Sequence, residues 1–262
     1  MKRVMCWLLC LALLPAAAWA DDKDKKGEDK KGAEEKKSGE LTDPIEILKK
    51  ADAACKAVKA VKYDLRYEVT LDGKPQIGKY EAKAIFSGFV DGASEKSLVD
   101  VKYSEPESKE VRHVTAGGDG EMFFVMDHKE KKAYEDMDPA VVGSFGRVLQ
   151  GAAMIEFLFD EPFSDEINGK SRELKGSKEI AGEGCYVVYV VYQAEQAPKT
   201  TWFFSKKDFL PRCRIDERTL RGGEKWVQKK TLSNVVADPR LDKDAFKLKL
   251  PKGYTKTDDF AP

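Results

Sequence analysis

The sequence predicts an α+β fold: one large antiparallel sheet with helices against one face. Three observations predict it. Strand-like alternation of apolar and polar residues starts at Tyr63 and recurs in short segments as far as Val236. Turn residues separate most of these segments too closely for crossover helices, so the strands meander. Helical spacing appears in two places only, at the start of the domain and in its middle, which is the pattern of helices laid on a sheet.

Residues 1–20 read as a secretory signal. Lys2 and Arg3 precede an apolar core from Trp7 to Leu14, and Ala18-Trp19-Ala20 fits a small-x-small cleavage site. The apolar run is too short to span a bilayer. Leu8 and Leu9 before Cys10 lack the small residue that precedes a lipidated cysteine. The expected location is the periplasm or outer envelope. The full chain balances 46 basic against 46 acidic side chains, and loss of Lys2 and Arg3 leaves a net charge of −2. That balance gives no pull toward nucleic acid or anionic membrane. No later stretch is apolar for long enough to span a membrane.

Residues 21–40, "DDKDKKGEDKKGAEEKKSGE", set seven lysines against eight acids and contain no large apolar side chain. Such a segment cannot bury enough surface to offset its ordering entropy, so a disordered charged linker is expected. Residues 41–262 form the domain.

Asp43-Pro44-Ile45-Glu46 opens the first helix. Asp43 caps, Pro44 suits the first helical position, and Glu46 completes a capping-box-like spacing. Ile45, Leu48, Ala51, Cys55 and Val58 then recur at helical spacing. At Tyr63 the period changes to two. Tyr63, Leu65, Tyr67, Val69 and Leu71 alternate with Lys62, Asp64, Arg66, Glu68 and Thr70, a half-buried strand. Further strands are expected at Tyr80–Phe86, Val99–Tyr103, Val111–Thr115, Met122–Met126 and Lys132–Glu135. Gly117–Gly120 is read as a turn with φ > 0 positions.

Ala140–Gln150 and Ala152–Phe159 read as helices parted by Gly151. Their apolar residues include Val141, Phe145, Val148, Met154, Phe157 and Leu158, more than one core-facing stripe needs. Strands resume at Gly176–Ile180, Cys185–Tyr192, Thr200–Phe204, Arg212–Thr219 and Trp226–Val236. A coda, "RLDKDAFKLKLPKGY", closes the domain.

Catalytic motifs are missing. There is no G-x-S-x-G, H-E-x-x-H, P-loop, G-x-G-x-x-G or C-x-x-C. Two histidines, His113 and His128, are too few for His-based triads or poly-His metal sites. One reads as a packed or surface residue on a strand and the other as a solvated turn residue, in preference to a shared metal set with Asp127. Asp160-Glu161 and Asp165-Glu166 read as solvated loop acids. Cys185 and Cys213 fall on the first and third strands of a meander, beyond disulfide reach, and buried thiols are expected for both and for Cys55. No metal and no cofactor are expected.

The order of these features resembles the LolA-like superfamily of exported proteins, as a divergent member. The stretches that bear the resemblance are "PIEILKKADAACKAV" leading into "YDLRYEV"; "GGDGEMFFVMDHKEKKAYE"; the apolar helical insertion; "GCYVVYVVY" followed by "TTWFFSKKDFLPRCRI"; and "RLDKDAFKLKLPKGY". The resemblance implies a sheet curved into an incomplete β-barrel, with helices over the concave face and an apolar cavity that in carriers holds lipoprotein acyl chains. It implies no cofactor. Carriers place an Arg-Pro pair after an early strand. Here that region reads "IFSGFVDGASEKS", so no carrier-specific residue transfers.

Two functions follow as expectations. One is a non-catalytic binding protein that holds a lipid, acyl chain or other apolar ligand, as a monomer. Its cavity candidates are Tyr63, Tyr67, Tyr80, Phe86, Val141, Phe145, Val148, Met154, Phe157 and Leu158. The other is an envelope interaction or sensor module with a packed core and a protein partner. A hydrolase without a recognisable motif is a third, minor reading.

Overall fold

A computed structural model describes residues 40–90, 93–143 and 151–258. The signal reading for residues 1–20, and the linker reading for all but Glu40, lie outside these residues. Leu41–Pro262 forms one compact unit.

Helix α1 spans Pro44–Ala57. The Asp43 carboxylate accepts from Ile45 N at 2.9 Å, and the helix stops where Val58 turns extended. Ile47, Leu48, Ala51 and Cys55 are buried along one face. The following strands are β1 (Ala60–Leu71), the short β2 (Lys74–Pro75), β3 (Tyr80–Val90), β4 (Ala93–Tyr103), β5 (Arg112–Gly118), β6 (Phe123–Asp127) and β7 (Lys132–Asp136). A short helix α2 (Ala140–Gly143) precedes the segment outside the described residues. A 3₁₀ turn at Ile155–Phe157 and helix α3 (Ser164–Ile167) lead to β8 (Ser171–Ile180), β9 (Glu183–Val191), β10 (Lys199–Ser205), β11 (Pro211–Thr219), β12 (Lys225–Ala237) and β13 (Thr255–Lys256).

All thirteen strands found among the described residues share one sheet, in the order β13-β7-β6-β5-β4-β3-β1-β12-β11-β10-β9-β8, with β2 beside β1. Every pairing is antiparallel except β13 on β7. The two ends of this order do not pair, so the sheet stays open. It is nevertheless rolled. One continuous core joins Val99 and Val101 of β4 to Val188 and Val190 of β9 through α1 and Phe157. In a flat sheet those strands would stand six spacings of about 4.8 Å apart. The expected α+β half-barrel is therefore the fold.

Three local expectations need correction. Ala152 is helical together with Gly151, but no α-helix continues from there to Phe159. Met154 is extended and only the 3₁₀ turn Ile155–Phe157 forms. The Tyr63 hydroxyl takes up Ala152 C=O and Met154 N–H, which a helix would have paired internally. Gly117 and Gly118 belong to β5 and not to a turn. A Cβ at Gly117 would lie 2.4 Å from Ser97 O, so this glycine permits close approach of backbone within the sheet. The strand at Gly176–Ile180 also starts earlier than expected, at Ser171.

Candidate functional site

The site is built on the concave face, where a flap of residues 151–163 lies over the sheet. Register fixes what points inward. Tyr63 faces Ala84, Leu65 faces both Ala82 and Leu232, and Lys230 pairs with both Tyr67 and Arg214. Trp202 in turn pairs with Arg214 and Val188. The face is therefore apolar toward Tyr63 and Phe86 and charged toward Arg214 and Asp216.

The flap is tied down by polar contacts. Tyr63 OH donates to Ala152 O at 3.0 Å and accepts from Met154 N at 3.0 Å. Lys230 Nζ donates to Ala153 O. Arg214 donates to Glu156, and its Nε donates to Asp216 Oδ1 at 2.9 Å. Thr200 Oγ1 donates to the same Asp216 oxygen at 2.6 Å. Glu156 Oε2 is buried and has no hydrogen-bond partner among the described residues. A buried ionic group of this kind is held only as long as its counter-charge stays in place. Gly151 lets the flap sit close, since a Cβ there would come within 2.8 Å of the Tyr80 ring.

Beside this cluster, Glu166 of α3 is buried and accepts from Tyr192 OH at 2.6 Å and Trp202 Nε1 at 3.2 Å. It is therefore not a solvated loop acid, because α3 turns it inward beneath Phe163, which stands edge-on to Trp202. Burial pushes the Glu166 carboxyl up to about 7. Burial likewise lowers Lys230 to about 8, although Glu156 opposes the shift. Burial works against the Arg214 charge, yet Glu156 and Asp216 raise its pKa overall.

The Glu166 shift has a testable sign. Below the ordinary carboxylate range the group is protonated in both the folded and unfolded states. Between there and about 7 the unfolded chain ionises while the folded protein keeps its proton. Stability should therefore fall as pH rises through this window, by on the order of 2–3 kcal/mol, and level off above it. Glu166→Gln keeps an acceptor oxygen for Tyr192 and Trp202. Urea unfolding at pH 5 and pH 8 should show that this variant has lost the slope.

Of the cavity candidates, Tyr63, Tyr80, Phe86, Met154 and Phe157 are buried together in the main core, with Tyr67 and Leu158 half-buried against it. Val141 lies apart on α2, which packs on β6 and β7. Phe145 and Val148 lie outside the described residues. The Tyr63 ring sits 6.2 Å from Phe86 and 6.1 Å from Phe157, so the space between flap and sheet here is filled by side chains. At the flap's edge a cleft of about 370 Å³ opens. Val58, Phe89, Phe157 and Phe159 supply its apolar walls, and Lys56, Lys59 and Asp160 stand at it.

Sequence reasoning missed Glu156, Glu166, Arg214, Asp216 and Lys230. A signal did exist in β11, where Arg214 and Asp216 share one parity and Cys213 and Ile215 the other. Ordinary patterning assigns the charged parity to solvent, whereas here it faces inward. Cys55, Cys185 and Cys213 are free and buried. Burial pushes Cys185 and Cys213 up to about 11, the opposite of an activated thiolate.

Fold and site together define an open antiparallel half-barrel whose concave face is closed by a helix and a polar-anchored flap. No family model matches the sequence. No curated protein matches it either. Among solved structures, the chain is similar to LprF from Mycobacterium bovis, with 12% identity over 78% of this chain and 97% of that one at a TM-score of 0.49. It is similar to MucB, with 12% identity over 79% of this chain at a TM-score of 0.46, and spans only 62% of the MucB chain. It is also similar to the LolA superfamily protein NE2245 from Nitrosomonas europaea, with 16% identity over 79% and 99% of the two chains at a TM-score of 0.34.

Proposed function

We propose that the protein is an exported, non-catalytic binding protein of the envelope, of the lipoprotein-sorting kind, which holds an acyl chain or other apolar ligand between flap and sheet. The observation that supports this most is the position of Phe157. Its side chain walls the cleft on one side and packs against Tyr63 on the other. Withdrawal of that one ring joins the cleft to the buried apolar face. A cleft of about 370 Å³ falls within the ~300–1,000 Å³ range of small-ligand pockets. Lys59 suits a polar or anionic headgroup at the mouth, where Lys56 is paired with Asp52 and Asp160 also stands. Export by cleavage after Ala20, a tether at 21–40 and a monomeric state belong to the same proposal.

Titration of the full mature chain with a spin-labelled fatty acid tests it. Saturable binding of one equivalent is expected, and Phe157→Ala should bind more tightly because the cleft then runs inward. A second reading, an envelope interaction module with a packed core, is favoured by the filled space beneath Phe157. Absence of any saturable probe binding would overturn the first reading in its favour. In-cell crosslinking should then recover one dominant partner, lost on deletion of residues 21–40.

A further inference from the structure

On the face of the sheet opposite the flap, Asp100, His113, Thr115, His128 and Tyr254 meet. The β5–β6 register sets Val114 opposite Asp127, and His128 N–H continues that ladder by donating to His113 C=O at 3.1 Å. The two histidines are therefore cross-strand neighbours, their rings stacked at 3.7 Å and 10° from parallel. Thr115 pairs with Asp100 across β4–β5, which brings the carboxylate diagonally beside His113. His113 Nε2 lies 2.9 Å from Asp100 Oδ2.

We propose that Asp100, His113 and His128 form a binding site for one divalent first-row transition-metal ion of the zinc class. One donor atom from each already lies within 4.8 Å of the others. Zinc with bonds of about 2.0–2.1 Å holds tetrahedral donors roughly 3.3 Å apart, so closure requires movements of about 1.5 Å or less. The rings are parallel and must hinge apart to aim both lone pairs at one ion. Side-chain rotation of His113, 30% exposed, provides this. The donor set of two imidazoles and one carboxylate suits zinc and its neighbours, and water completes the coordination.

Two further contacts point to a ligand role. Thr115 Oγ1 donates to Asp100 Oδ2 at 2.9 Å and lies 2.8 Å from His128 Nε2, bridging two of the donors in the place an ion would take. On the far side of the ring, His128 Nδ1 lies 2.9 Å from Tyr254 OH. With Nδ1–H donating to that oxygen, Nε2 can turn its lone pair to a metal once it gives up its contact with Thr115 Oγ1, and Tyr254 then supplies the outer-shell arrangement typical of ligating histidines. Tyr254 leads into β13, which pairs with β7. Metal binding would thus fasten the last strand to the sheet's outer edge and raise thermal stability.

The test is a zinc titration of the full mature chain, untagged and stripped with chelator. One equivalent should bind saturably and raise Tm. These are the chain's two histidines, so the ring proton resonances of the wild-type protein report directly on the site, and both sets should shift together. His113→Asn and His128→Asn should each weaken binding at least about 100-fold, and Tyr254→Phe about tenfold. Absence of saturable uptake, unshifted histidine resonances, or undiminished uptake in the folded H113N/H128N double variant would each overturn the proposal.

Discussion

Replacing Arg214 by leucine is expected to destabilise the protein by about 3–5 kcal/mol, because it strands buried acidic groups without their counter-charge. Glu156 and Asp216 both pair with this guanidinium, Lys230 is a second cation near them, and Glu156 Oε2 already has no hydrogen-bond partner among the described residues. The effect should be asymmetric. Glu156→Gln leaves Arg214 paired with Asp216, so its cost should stay near about 1 kcal/mol. The combination Arg214→Leu, Glu156→Gln and Asp216→Asn removes the stranded charges and should recover most of the loss. Urea unfolding of the three proteins measures this. An Arg214→Leu cost equal to that of Glu156→Gln would contradict a latch built on buried charge.

Tyr63→Phe should cost about 3–4 kcal/mol, since one hydroxyl satisfies two buried backbone groups of the flap. Removing it orphans Ala152 C=O and Met154 N–H while leaving the ring's packing against Phe86 and Phe157 intact. The loss should be local before it is global. Hydrogen exchange at residues 152–158 should accelerate well before exchange in β1 or β12 does. Uniform acceleration across the sheet would mean that Tyr63 supports the core as a whole and not the flap in particular.

Much of the fold was legible because local chemistry and tertiary context agree. Asp43 and Pro44 start α1 as their side chains dictate, and the alternation from Tyr63 to Leu71 places Tyr63 and Leu65 inward as read. The flap was not legible. Ala152–Phe159 has helical composition, but a tyrosine about 90 residues away takes the backbone groups that a helix needs. The charged cluster was hidden in two ways: Arg214 and Asp216 occupy the parity that patterning assigns to solvent, and Lys230 lies on the core-facing parity of Leu232, where a lysine is not expected. The histidine pair was hidden by register. A turn at Gly117–Gly120 leaves His128 beyond the paired residues, whereas the true turn, with Asp119 N–H donating to Met122 C=O, puts it opposite His113. In each case a contact between distant segments decided the outcome.

The central claim is that an apolar ligand enters at the cleft beside Phe157 and lies under the flap. It is tested most directly by locating the probe in the spin-labelled fatty-acid titration. Paramagnetic broadening of amide resonances should appear first at Val58, Phe89 and Phe157, then at Tyr63 and Phe86, and should saturate at one equivalent. Broadening centred on the opposite face of the sheet, or none below probe self-association, would contradict the account.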